Sequence, residues 1–238
     1  MNFDWLSPEL ARLLLGGFWV TIFLTAVTTL LAFLIGVAVG GMRLSKRSIL
    51  QLFATVYIEI FRNIPALVII IFFAFAVPNL FPIEQRQAIF FDNALADGLK
   101  ALTGLSLPYY AIAALAGITF NASAYIAELF RAGVKSLPQN TVDVAQTLGA
   151  TEREVYRRIL RPHGVKAAFP AMSTRFIHTM KNTALASFVT VPEFFMVTQT
   201  AITRSFQAIQ LLLLATAVYL FLAFAFSALL QQIDRRLI

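Results

Sequence analysis

Apolar residues run through this chain in long unbroken blocks rather than at the one-face spacing of a soluble helix. Four stretches, 13–42, 63–83, 101–127 and 205–233, contain no Asp, Glu, Lys or Arg, and each reaches the roughly 20 residues that a membrane-spanning helix requires. The pattern predicts an all-α polytopic membrane bundle with spans near 13–42, 49–77, 105–130 and 207–233. These lie in one membrane domain, 13–238, after an external segment, 1–12.

Charge placement adds a fifth span. Arg43, Lys46 and Arg47, seven basic residues within 131–166, and Arg235 with Arg236 make twelve on alternate sides of the blocks, against Arg12, Arg86, Lys100 and Arg204 on the others. The positive-inside rule puts the N-terminus outside and the C-terminus in the cytoplasm, so the number of crossings is odd. The remaining span is expected over 167–191, although it carries Arg175, His178, Lys181 and Asn182. A cation at the bilayer centre costs about 2.5–3.5 kcal/mol on insertion scales, so these groups should face protein or a water-filled path.

The second span is also polar in part, with Glu59, Arg62, Asn63 and Pro65. Glu59 and Arg62 share a helical face and can neutralise each other. Alternatively, Pro65 opens the helix, frees a carbonyl and lets Arg62 and Asn63 line a polar cavity. In the third span, Ala113, Ala114, Ala116 and Gly117 would permit close helix contact. Asn121, Ser123, Tyr125 and Glu128 follow on that span, and Glu128 can pair with Arg131.

Composition narrows the function classes. The chain is 59% hydrophobic and 13% charged, has no cysteine and only His163 and His178 as imidazoles. Disulfides and thiolate metal sites are excluded, and no metal or cofactor is expected. The net charge of +7 reports loop orientation rather than nucleic-acid binding. The first 12 residues lack the basic flank of a secretory signal, so the first span is expected to remain in the mature protein. No G-x-x-x-x-G-K-[ST] phosphate loop is present, so ATP is not held here by that motif.

One polar segment, 136–162, has helical punctuation of its own. Pro138 and Asn140 lead into a short helix with Val142, Ala145 and Leu148, which Gly149 can end in the left-handed conformation open to it. Thr151 and Glu154 make a capping-box pattern for a second helix, which Pro162 is expected to stop. Rich in Arg153, Arg157, Arg158 and Arg161, such a hairpin could rest on anionic lipid.

Its residues, however, resemble a known loop. Asp143, Val144, Ala145, Gly149, Ile159 and Pro162 stand at the spacing of the E-A-A, three residues, G, nine residues, I-x-L-P loop of bacterial import permeases. Asp143 replaces Glu, Val144 replaces the first Ala and Arg161 stands where Leu is usual. The resemblance continues along most of 18–233. Residues 21–31 resemble the family's opening span, Phe61 to Pro65 its F-R-G-T-P element, AYIAELFRAG (124–133) its third-span exit, and MKNTAL (180–185) its K-[DN]-[ST]-[SA]-L element.

This resemblance implies the permease subunit of an ATP-driven, binding-protein-dependent importer of polar amino acids in the bacterial inner membrane. It implies half of a dimeric pore, with an identical or homologous second permease, an external substrate-binding protein, and a cytoplasmic ATPase dimer that uses ATP and Mg. The permease itself would be no enzyme. The 136–162 loop would be the coupling hairpin, and Arg62, Asn63, Asn121, Lys181 and Asn182 candidates for the substrate path. Arg62 and Lys181 would suit a carboxylate, and 58–82 is similar to glutamate and aspartate permeases, a lean toward acidic substrates. An ion-coupled secondary transporter, an intramembrane enzyme and a passive channel are the alternatives. The chain shows neither the repeat, the catalytic pairing nor a reason for the hairpin that these would need.

Overall fold

In the computed structural model, residues 7–91, 97–98 and 109–237 are described. Residues 1–6, Lys100 and the expected start of the third span at 105–108 lie outside them. Helix α1 covers Pro8–Arg43. α2 (Ser48–Asn63) is followed by α3 (Ala66–Asn79), which contains a π turn at Phe72–Ala76, and by the short α4 (Ile83–Arg86). Then come α5 (Tyr109–Lys135), α6 (Gln139–Thr147), α7 (Glu152–Val155), α8 (Arg161–Asn182), α9 (Phe194–Ser205) and α10 (Ala208–Leu237). No strand occurs among the described residues.

Helices α1, α5 and α10 are each long and apolar enough to cross a membrane. Counting α2 with α3, and 152–189 with α9, as one bent span apiece gives five. At 36 residues, α1 is about 54 Å long, well beyond the ~30 Å of hydrocarbon, so it tilts or projects. The apolar side chains that α1 and α10 leave exposed, among them Trp19, Leu34, Phe221 and Phe224, suit lipid or another subunit as neighbour.

The chain forms two compact units. One takes the described residues of 1–28, 64–119 and 179–223. Its core packs Val20, Leu24, Ile70, Ala74, Ala114 and Val189, with a second cluster of Leu14, Phe194, Val197 and Leu211. Ala113 and Ala114 are buried, and a Cβ on Gly117 would lie 2.9 Å from the Ile70 backbone. The small-residue face of α5 is therefore where α3 approaches, as van der Waals packing between membrane helices requires.

The other unit takes 29–63, 120–178 and 224–238, described to Leu237. Its clusters join Val37, Ile126, Phe130, Met172 and Phe176, and Val39, Ala54, Ile58 and Ala127. Here α5 and α8 touch backbone to backbone. A Cβ on Gly133 would meet the Gly164 carbonyl at 2.4 Å, so neither glycine has room for a side chain.

Candidate functional site

The 136–162 segment folds into a helical hairpin. Helix α6 ends in a Schellman motif: Ala150 N–H donates to the Ala145 carbonyl (3.0 Å) and Gly149 N–H to Gln146 (2.9 Å). Gly149 holds φ +88°, the region a Cβ disfavours. Two residues on, the Thr151 hydroxyl accepts from the Glu154 N–H (3.3 Å), while the Glu154 carboxylate accepts from the Thr151 N–H (3.0 Å). The Thr151 N–H first, and its hydroxyl second, hold the Glu154 carboxyl below its ordinary value.

Pro162 does not stop the second helix. The chain passes from α7 through a π turn at Tyr156–Leu160 into α8, with Arg161 N–H bonding the Tyr156 carbonyl five residues back. A proline ring would strike the carbonyl four residues earlier in a regular α-helix. The wider turn just before Pro162 relieves that clash, and the helix continues.

Of the loop-motif residues, Asp143 and Val144 are exposed on α6 and Ala145 is half-buried beside them. Val144 is 58% and Leu148 82% exposed, an apolar edge on a helix that otherwise presents polar groups. Behind the hairpin lies a cavity of about 500 Å³, lined by Gly41, Met42, Leu50, Val142, Gln146 and Tyr156. Lys46 and Glu152, also in its wall, form an ion pair, and the Tyr156 hydroxyl sits against Gly41.

In the same unit, the end of α2 explains three polar residues at once. Pro65 has no N–H to offer the Phe61 carbonyl four residues back. Asn121 Nδ2 donates to that carbonyl instead (2.8 Å), and the Tyr125 hydroxyl donates to the next one, of Arg62 (3.1 Å). Asn121 Oδ1 accepts from Arg175 (2.5 Å), whose guanidinium lies 3.8 Å from the centre of the Tyr125 ring. Asn63 bonds back to Glu59, through both its carbonyl (2.8 Å) and its carboxylate (2.9 Å), and Arg62 stands 3.9 Å from Glu59. The ion pair of the first reading therefore forms, and the helix ends at Asn63 and restarts at Ala66, with the carbonyl opened by Pro65 taken up by Asn121. Glu128 binds Arg131 at 2.8 Å and Arg43 at 3.5 Å.

Lys181 and Asn182 end α8 in the other unit. Lys181 is exposed and lines a cavity of about 430 Å³ with Ala184, Phe195, Leu212, Thr216 and Tyr219. Beside it is a residue that sequence reasoning missed. Glu193 is wholly buried, caps α9 by accepting from Phe195 N–H (3.0 Å) and Met196 N–H (2.7 Å), and accepts the Tyr219 hydroxyl (2.7 Å). The Thr21 hydroxyl oxygen in turn accepts from Phe194 N–H (3.0 Å). Glutamate is not among the favoured N-caps, so only its position after Pro192 and before the apolar run from Phe194 hinted at a helix start.

Residues 30–238 match the family described as the binding-protein-dependent transport system inner membrane component. The chain belongs to that family. Among relatives of this permease, the glutamate/aspartate import permease protein GltK of Escherichia coli O157:H7 is 28% identical over 237 residues, covering 99% of this chain and 98% of that one. The nopaline transport system permease protein NocM of Agrobacterium fabrum is 28% identical, with 92% and 85% covered. The probable glutamine ABC transporter permease protein GlnP of Bacillus subtilis is 28% identical, with 79% and 75% covered. In fold, the permease matches a chain of an amino acid ABC transporter crystallised with histidines (TM-score 0.74, 24% identity, 99% and 100% covered). It also matches a chain of the inward-facing MetNI methionine transporter (TM-score 0.73, 18% identity, 98% and 100% covered).

Proposed function

We propose that this permease forms half of the pore of an amino acid ABC importer and that the 136–162 hairpin receives the motion of a separate ATPase subunit. The observation that carries the coupling role is the exposed apolar edge of Val144 and Leu148 on a helix fixed by a Schellman turn and a capping box. An unpaired apolar edge on a preorganised polar hairpin suits a groove on a protein partner. Asp143, Val144 and Ala145 make the contact, Gly149 sets the angle of α6, and Ile159 and Pro162 continue it into α8. ATP and Mg belong to the partner, a substrate-binding protein delivers ligand outside, and a second permease completes the pore.

The substrate class we infer is an acidic amino acid. Lys181 is a cation exposed at the end of a span, a costly placement unless it faces a water-filled path, and its cavity has an aromatic and aliphatic wall suited to a small carboxylate ligand. The name of GltK supports this lean, while those of NocM and GlnP name other substrates. Arg62, Asn63 and Asn182 are further candidates for the path, as the family resemblance implies, and Asn121 holds the broken end of α2.

Gly149→Val tests the coupling role. A Cβ there meets nothing within 4 Å, so the only cost is backbone strain, roughly 1–2 kcal/mol in the left-handed region. The variant should insert and fold normally, yet co-purify with less ATPase or hydrolyse ATP without uptake. Normal values for both measurements would defeat the assignment.

A further inference from the structure

The turn leading into α8 carries a second feature, a basic cavity that Ile159 and Pro162 also line. A cavity of about 720 Å³ is lined by Arg157, Arg158, Arg161 and Lys166 together with Phe33 and Val165, and no carboxylate is among its lining residues. Among the described residues, no carboxylate stands within ion-pair distance of Arg157, Arg158 or Arg161. Glu154 feels Arg158 only at longer range.

The pocket is built rather than incidental. Gly133 and Gly164 bring α5 and α8 into backbone contact, which fixes where Arg161 and Lys166 leave the helix. The Ser136 hydroxyl donates to the Gly133 carbonyl (2.7 Å) and lies 3.3 Å from His163 Nε2. With its hydrogen committed, that hydroxyl accepts from Nε2–H, so the imidazole of this lining residue is held in place.

We propose that this pocket binds the phosphate of an anionic phospholipid, with an acyl chain lying along Phe33 and Val165. Guanidinium forks pair with phosphate oxygens two at a time, and basic pockets between helices at the cytoplasmic face recognise lipid headgroups. The apolar wall favours a lipid over a protein partner. Phe33 lies about 15 Å inside the end of α1 at Arg43 and packs against the core cluster of Val37, Phe169 and Phe176. An acyl chain reaches that depth, whereas a soluble subunit docking on the hairpin does not.

The test uses the complete transporter in phosphatidylcholine nanodiscs with spin-labelled phosphatidylglycerol or spin-labelled phosphatidylcholine, and reads the motionally restricted fraction of each. Wild type should prefer phosphatidylglycerol, and Arg157→Gln and Arg161→Gln should each lower that preference roughly five-fold. Arg47→Gln, which removes an exposed basic side chain that does not line the pocket, should leave it intact. An equal loss in Arg47→Gln would mean diffuse surface charge and overturn the proposal. So would competition by millimolar inorganic phosphate that abolishes the preference, which would make the site one for free phosphate. A loss of co-purified ATPase in Arg157→Gln and Arg161→Gln with unchanged lipid preference would assign the cluster to the protein partner and refute the lipid site. Because the readout is lipid association, the outcome is independent of whether Gly149 couples hydrolysis to uptake.

Discussion

The contact between Gly41 and Tyr156 offers the sharpest test of how the hairpin is joined to the first span. A Cβ added at Gly41 would lie 2.1 Å from the Tyr156 hydroxyl oxygen, 3.0 Å from Cζ and 3.5 Å from Cε2. The hydroxyl would have to retreat by about 1 Å, and overpacking of this kind costs about 1–3 kcal/mol. The cavity beside Tyr156 lets the ring swing, which sets the clash toward the lower end. Gly41 is also helical, so alanine returns up to about 1 kcal/mol of propensity. Gly41→Ala should therefore be close to neutral in overall stability, yet it displaces Tyr156 and with it the π turn that carries the hairpin into α8.

The rescue is what makes the reasoning refutable. Among the described residues the Tyr156 hydroxyl makes no hydrogen bond to protein, so Tyr156→Phe alone should be almost silent. In the double variant the 2.1 Å contact disappears and the nearest atom is Cζ at 3.0 Å, which needs a shift of only a few tenths of an ångström. Uptake per ATP hydrolysed, measured in proteoliposomes containing the whole transporter, should fall several-fold in Gly41→Ala and return in Gly41→Ala/Tyr156→Phe. Melting temperature should be highest in the double variant, because only the propensity gain remains. Full coupling in Gly41→Ala, or failure of Tyr156→Phe to restore it, would show that this contact does not transmit the motion.

Three further outcomes are expected. Lys181→Gln should cut uptake of glutamate or aspartate ten-fold or more, chiefly through apparent affinity, while ATPase co-purification is unchanged; wild-type uptake would remove Lys181 from the path. Glu193→Ala strips the acceptor from the Tyr219 hydroxyl and two backbone N–H groups, and should lower stability by about 2–4 kcal/mol, read as a drop in melting temperature in detergent. Tyr219→Phe should cost less in that background than in wild type. Reporter fusions at Ser45 and Gly149 should read cytoplasmic and one at Arg86 external; Gly149 outside would refute both the orientation and the coupling role.

Much of the architecture was legible because the bilayer imposes simple demands. Charge-free blocks of sufficient length and the excess of Lys and Arg on alternate segments are one-dimensional signals, and they marked α1, α5 and α10 directly. The hairpin was legible for a different reason. Its turn is made locally, by Gly149 in the left-handed region and by Thr151 with Glu154 three residues later, so the spacing carries the geometry. Pro162 misled because the rule that proline ends a helix assumes α hydrogen bonding on both sides. The π turn at Tyr156–Leu160 shifts that bonding by one residue, and nothing in Tyr-Arg-Arg-Ile-Leu announces it.

The polar residues within the spans show where one-dimensional reading stops. The cost of Arg175 in lipid said that it should face protein or water but not that its partner is Asn121, 54 residues away in sequence, and nothing in the sequence said that Asn121 and Tyr125 bond to α2, some 60 residues away. The logic becomes visible only when backbone and side chain are counted together. Pro65 deprives the Phe61 carbonyl of its N–H, an unpaired carbonyl inside a membrane protein costs several kcal/mol, and Asn121 supplies the missing donor while Arg175 and Tyr125 brace it. The carbonyl left open at the break in the second span is thereby satisfied from α5. The irregular backbone that leaves Asn63 exposed and Arg62 half-buried is thus held by the same contacts that bury Asn121.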